Sequence, residues 1–134
     1  MQYGQTIHLS APYREVLGKV REALRRQGFG VLTEIDVTAT LKAKIGADME
    51  PYVILGACNP RLAHRALDVD RSLGLLLPCN VVVRADGDGT LVQVLDPQVM
   101  VEVPDKDELR PIADEAGRLL RAVLAELSGD AGVA

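Results

Sequence analysis

The sequence predicts an α+β domain, a single mainly antiparallel sheet with two long helices packed on one face. Three observations carry that expectation. Strongly amphipathic stretches lie near both ends of the chain, at residues 12–27 and 110–127. Short apolar or alternating runs fill the interval between them. Late in the chain, Asp86-Gly87-Asp88-Gly89 marks a hairpin turn rather than a crossover helix, so a βαβ repeat is not sustained.

Residues 3–9 alternate, with Tyr3, Gln5, Ile7 and Leu9 on one side and Gly4, Thr6 and His8 on the other. This is a strand with His8 on its wetter face. Ser10 or Ala11 lies near the cap of the next helix, with Pro12 in its first turn. Tyr13, Val16, Leu17, Val20 and Leu24 form its buried stripe, and Gly28 ends it. In the strand at residues 29–37, Phe29, Val31, Thr33, Ile35 and Val37 share one face, and Leu32, Glu34 and Asp36 the other. Residues 38–45 form a short helix capped by Asp36 and stopped by Gly46.

The centre of the chain, residues 52–83, holds both cysteines, one of the two histidines and the most apolar runs. Residues 52–58 and 79–84 read as buried strands. Alternation puts Cys58 with Ile54 and Tyr52, and Cys79 with Val81 and Val83. Between them, Asn59 caps a helix that has Pro60 at its first position and runs to about Leu67. Pro78 falls at the start of the second strand, where its missing N–H does least harm. After the hairpin, residues 90–95 return as a partner strand, and residues 99–103 suggest a further extended piece. The last helix starts near Arg110, because Pro111 is tolerated only in a first turn. Its stripe runs from Ile112 through Leu127. The expected order is β-α-β(4)-α with short extra helices, one domain over residues 1–128 and a frayed tail at 129–134.

Composition narrows the function classes. A chain of 134 residues, 48% hydrophobic, can bury a core without disulfides, and two cysteines make no disulfide framework. Net charge runs +3 over residues 1–47, zero over 48–85 and −7 over 86–134. There is no long basic run and no tryptophan, which argues against nucleic acid as a partner. No apolar run suggests a signal peptide or a membrane span, so the expected location is the cytoplasm.

Several segments together resemble a known family. They are Gly28-Phe29-Gly30-Val31 with Glu34-Ile35-Asp36-Val37, then Ile54-Leu55-Gly56-Ala57-Cys58-Asn59-Pro60, then Leu77-Pro78-Cys79-Asn80-Val81. In this order they resemble the domain of unknown function 302 family over residues 2–103. The resemblance implies a sheet-and-helix arrangement like that of the TATA-binding protein. It implies no established activity and no catalytic residues, and a DNA-binding fold is not evidence of DNA binding.

The candidate site residues are Cys58, Asn59, His64, Cys79 and Asn80, with Glu34 and Asp36 as a second group. Each cysteine sits at a strand end beside an asparagine and a proline, and His64 lies one turn past Pro60, placed to lean back over Cys58. Shared thiols suit redox or metal chemistry, but Cys, Cys and His fall one ligand short of a structural zinc site. The simpler reading buries both thiols as small hydrophobes. Asn59 and Asn80 either orient a polar ligand or satisfy a cap and a turn. Glu34 and Asp36 project from one strand face, to hold a cation, to do acid–base work, or only to be solvated. No nucleotide loop, nucleophile elbow or zinc-protease motif is present in the sequence, and no cofactor is indicated. The leading expectation is a small-ligand-binding or interaction module, the runner-up a thiol- or metal-dependent redox protein or enzyme using Cys58 and Cys79. A self-associating domain, a homodimer joined through an exposed sheet face or edge, is the third.

Overall fold

In a computed structural model, which describes residues 3–132, the chain forms five strands and five helices. The order is β1 (Gly4–Leu9), α1 (Tyr13–Arg26), β2 (Gly30–Asp36), α2 (Val37–Ile45), β3 (Tyr52–Cys58) and α3 (Pro60–Val69). Then follow β4 (Cys79–Asp86), β5 (Gly89–Leu95), the single-turn α4 (Val99–Glu102) and α5 (Arg110–Gly132). Short 3₁₀ turns at Arg71–Leu76 and Asp107–Leu109 fill the connections. The strands make one antiparallel sheet in the order β1-β5-β4-β3-β2, as an α+β pattern of this kind requires. The two long helices α1 and α5 pack on each other and on one face of the sheet.

The core follows from the alternation along the strands. Val53, Leu55 and Ala57 of β3, Val81 and Val83 of β4 and Val92 and Val94 of β5 are buried beneath the helices. They meet Val16, Val20, Ala23 and Leu24 of α1 and Leu120, Val123, Leu124 and Leu127 of α5. A second cluster closes one end of the molecule, where α3 and α4 pack on the first turns of α5 through Leu62, Ala66, Met100, Val101, Ile112 and Ala113. The other sheet face carries no long helix. Across it Thr6, Gln93, Val82, Ile54 and Ile35 line up in register. Gln93 accepts from Arg84 at 3.4 Å and donates to Thr6 at 3.1 Å.

Local signals act as the sequence suggests at most element ends. Asp36 accepts from the Ala39 N–H at 2.9 Å to cap α2, and Asn59 accepts from the Leu62 N–H at 3.3 Å to cap α3. Gly28 follows α1 at φ 85, and Gly87 turns the β4–β5 hairpin at φ 59, both in the left-handed region that favours glycine. Thr90 is fully buried, and its hydroxyl donates to the Ala11 carbonyl at 2.9 Å, pinning the β1–α1 connection to the hairpin.

Four expectations are corrected. Pro12 is the N-cap of α1 rather than a first-turn residue, with no side chain capping that end. Residues 99–103 are not a strand but the turn α4 and its C-cap Val103. Burial of Met100 and Val101 against α5 then favours a helical turn. The last helix does not end before Gly129 but is drawn on to Gly132, since one glycine weakens a helix by only about 1 kcal/mol against alanine. Val133 and Ala134 of the expected tail lie outside the described residues.

The fourth correction shapes the site. β2 carries a bulge, where its register with β3 shifts between Val31 and Thr33. The extra residue reverses the strand's faces, because side chains alternate with a period of two. Val31 lies opposite buried Ala57, as its apolar character suggests. Beyond the bulge Ile35 lies opposite Ile54 on the uncovered face and is 48% exposed. Glu34 and Asp36, opposite Leu55 and Val53, turn toward α1 instead.

A tight approach beneath the hairpin gives a direct test of this packing. A Cβ on Gly89 would lie 2.5 Å from the Leu9 carbonyl oxygen, a backbone atom fixed between β1 and α1. Gly89→Ala is therefore expected to destabilise the fold by about 1–3 kcal/mol in urea unfolding. Gly74→Ala, whose Cβ meets nothing within 4 Å, is the matched control. Equal midpoints for the two variants would remove this account of the hairpin.

Candidate functional site

Two places combine a recess with polar or reactive side chains. The first is the crevice at the meeting of β3, β4 and α3. Ala57 pairs directly with Cys79, and Cys58 is the next residue along β3, so both cysteines lie at the same end of the β3–β4 pair. Both line the crevice with Phe29, Asn59, Leu62 and Met100. Its volume is about 20 Å³, room for about one water molecule. Burial pushes the Cys79 thiol up to about 11, with the nearby Cys58 as a smaller cause, and burial also raises Cys58. Burial thus disfavours the thiolate at both groups, the form that acts as a nucleophile.

The other residues expected around the thiols are placed elsewhere. His64 does not lean over Cys58. It lies on the outer face of α3, 76% exposed, with Nε2 at 3.8 Å from the Asp68 carboxylate one turn on. The reason is helical phase: Leu62 and Ala66 are the residues α3 buries, and position 64 falls on the opposite side. Asn80 is exposed on the uncovered sheet face, opposite Gly56, one step out of phase with Cys79. Asn59 is engaged as the α3 cap. Among the described residues no group of three or more His, Cys, Asp and Glu side chains is arranged to hold a metal ion.

The second place is a larger cleft between α1, β2, α2 and the segment leading into β3. Its volume is about 700 Å³, within the range of small-molecule sites. The bulge in β2 creates it by turning Glu34 and Asp36 toward α1. From α1 come Tyr13, Arg14 and Leu17; Met49, Pro51 and Tyr52 supply the far wall. Thr38 fixes that wall, accepting from the Tyr52 N–H at 2.9 Å and donating to the Glu50 carbonyl at 2.7 Å. Lys42 and Asp48 form an ion pair of 2.8 Å across the rim.

The charges within the cleft are unequally satisfied. Glu34 accepts a hydrogen bond from Arg21, one turn beyond Leu17 on α1. One oxygen of Asp36 caps α2. Arg14, exposed on the cleft wall, has no hydrogen bond or ion pair among the described residues. The Tyr13 phenol is raised above its usual range by burial and then by Asp36 and Glu34, while Arg21 and Arg14 pull it down. It therefore stays protonated, a donor standing in the field of both signs of charge. Sequence reasoning paired Glu34 with Asp36 and missed the α1 residues opposite them. The signal was present in the four-residue spacing of Tyr13, Leu17 and Arg21.

Fold and recesses together define a small α+β domain of β-α-β(4)-α order, with one helix-covered sheet face and a polar cleft at the β2 edge. The chain belongs to the family described as "Domain of unknown function DUF302", whose model matches residues 5–127. A solved structure similar to it is the crystal structure of an uncharacterized conserved DUF302 protein from Bacillus stearothermophilus. The two are 32% identical with a TM-score of 0.86, covering 93% of this chain and 98% of that one. No curated protein matches the sequence. Among the described residues no helix is long and apolar enough to cross a membrane.

Proposed function

We propose that this domain binds a small polar ligand in the cleft between α1, β2 and α2, and carries out no covalent chemistry there. The observation that carries the reading is the cleft itself: about 700 Å³, with Arg14 uncommitted beside two carboxylates and two tyrosines. Polar groups placed on an otherwise apolar wall orient a ligand, and the apolar part supplies affinity. Leu17, Met49, Pro51 and Val53 provide that part here. The crevice beside Cys58 and Cys79, at about 20 Å³, has no comparable volume.

The test is a titration of isotope-labelled protein with mixtures of small carboxylates, amines and amino acids at millimolar concentration, followed by amide chemical shifts. Shifts are expected to cluster at Tyr13, Arg14, Glu34, Asp36, Ala39 and Tyr52. Shifts concentrated at Cys58, Asn59 and Cys79 instead would move the site to the crevice. Silence across all mixtures would end the ligand-binding reading.

A further inference from the structure

Between β2 and β3 the chain leaves the sheet and returns to the same place. Asp36 pairs with Val53, so the two ends of the excursion stand side by side. Residues 37–50 are α2, its left-handed stop at Gly46 and the return toward Pro51. None of these residues is buried, although α2 is a regular helix of nine residues. A helix that short is marginal in isolation and depends on packing. Here the packing is on β2 and β3, the strands it connects.

The polar contacts of the segment are equally self-contained. The Gly46 and Ala47 N–H groups close on the Lys42 and Leu41 carbonyls, and Lys42 meets Asp48. Asp36, the residue just before the segment, caps α2 through the Ala39 N–H. Among the described residues no hydrogen bond or ion pair joins residues 37–50 to α1. Thr38 staples the neck: its hydroxyl accepts from the Tyr52 N–H and donates to the Glu50 carbonyl. Yet this segment supplies one wall of the cleft, through Thr38, Ala39, Lys42, Ala47, Asp48 and Met49. The facing wall belongs to α1, whose Val16 and Val20 are fixed in the core. One wall is therefore anchored in the core and the other at its neck. Compact loops whose ends meet are frequent functional elements, and segments that gate ligand sites come from the least stable parts of a fold.

We propose that residues 37–50 are a lid, which opens and closes over the cleft as one unit while the sheet, α1 and α5 stay folded. Thr38 at the neck sets how often it opens. This rests on the cleft as the binding site and adds how a ligand is admitted and held.

The experiment is native-state amide hydrogen exchange on the full chain. The lid amides at residues 41–47 are expected to share one protection factor to within about threefold and to exchange about a hundredfold faster than those of Val20 and Leu120. Thr38→Val removes both staple bonds and is expected to speed the lid amides about tenfold, with Val20 and Leu120 unchanged. Thr40→Val is the control, since Thr40 lies on the same helix, is exposed and makes no side-chain hydrogen bond among the described residues. It is expected to leave every rate unchanged. Any small carboxylate, amine or amino acid that shifts cleft amides is expected to slow the lid amides about tenfold at ten times its dissociation constant. Lid amides as slow as those of α5, lid rates scattered without a common value, or an equal response of Val20 and Leu120 to Thr38→Val would each overturn the lid. So would a ligand that shifts cleft amides and leaves lid exchange unaltered, and the cleft would then stand without it. Silence of every compound would end the ligand reading alone, because the unliganded rates and the Thr38→Val response decide the lid by themselves.

Discussion

Leu120→Ala is expected to lower stability by about 2–5 kcal/mol, a loss of the size that truncating a fully buried leucine brings. Leu120 is 1% exposed and sits on α5 within the main cluster, among side chains from α1 and the sheet. Truncation removes its transfer free energy and leaves a cavity that neighbours anchored in a helix pair and a sheet relax into poorly. With total stability on the order of 5–15 kcal/mol for a domain of this kind, the loss is a large share. It appears as a fall of about 1–2.5 M in the urea midpoint with an unchanged slope, for a slope near 2 kcal/mol per molar. Leu75→Ala is the contrast. Leu75 is 88% exposed, so its truncation is expected to stay within about 0.5 kcal/mol. A Leu120→Ala midpoint no lower than that of Leu75→Ala would mean that α5 does not hold the sheet as described.

That the same residue is named by sequence and structure reflects how helices announce themselves. The stripe leading into and along α5, Leu109, Ile112, Ala113, Ala116, Leu119, Leu120, Val123, Leu124 and Leu127, is a local periodicity, and all of it is buried except Leu119, which is half-buried. The hairpin turn is equally local, since Gly87 takes the left-handed conformation that few other residues do. The bulge in β2 is not local. Whether Leu32 is an extra residue depends on how β3 lies beside it, and alternation alone carries Ile35 into the core. Val99, Val101 and Val103 mislead for a related reason. β-branched residues favour a strand only where a pleated, half-buried surface is there to pack on, and here Val101 is buried among helical side chains instead.

Legibility of the candidate sites divides the same way. Cys58 and Cys79 lie beside turn residues at strand ends, and antiparallel pairing of β3 with β4 brings both ends to the same crevice. Asn80 and His64 were tied to them by sequence proximity, which neither strand alternation nor helical phase respects. The larger cleft draws on α1, β2 and the residues from Thr38 through Val53. Only tertiary packing unites these segments, and only the carboxylate pair on β2 hints at it in the sequence.

The thiols give the second large expected effect, a loss of stability at high pH traceable to Cys79. Its pKa is pushed up to about 11 in the folded chain, against 9.0 for a free thiol, chiefly by burial. A group whose folded pKa is raised binds its proton more tightly folded than unfolded. Its stabilising share is complete below pH 9 and is lost as pH rises from 9 toward 11. Two units correspond to about 2–3 kcal/mol. Cys58 and Tyr13, raised too, act with the same sign. Cys79→Ala therefore isolates the effect: urea stability of the wild type is expected to fall more steeply than that of the variant between pH 9 and 11. The Cys79 thiolate, read as the absorbance difference between wild type and variant, should appear only in that range, and labelling at pH 7 should reach Cys79 only after unfolding. Parallel pH profiles, or rapid native labelling of Cys79 at pH 7, would mean an accessible thiolate, and the thiol-chemistry reading of the crevice would then displace the ligand cleft.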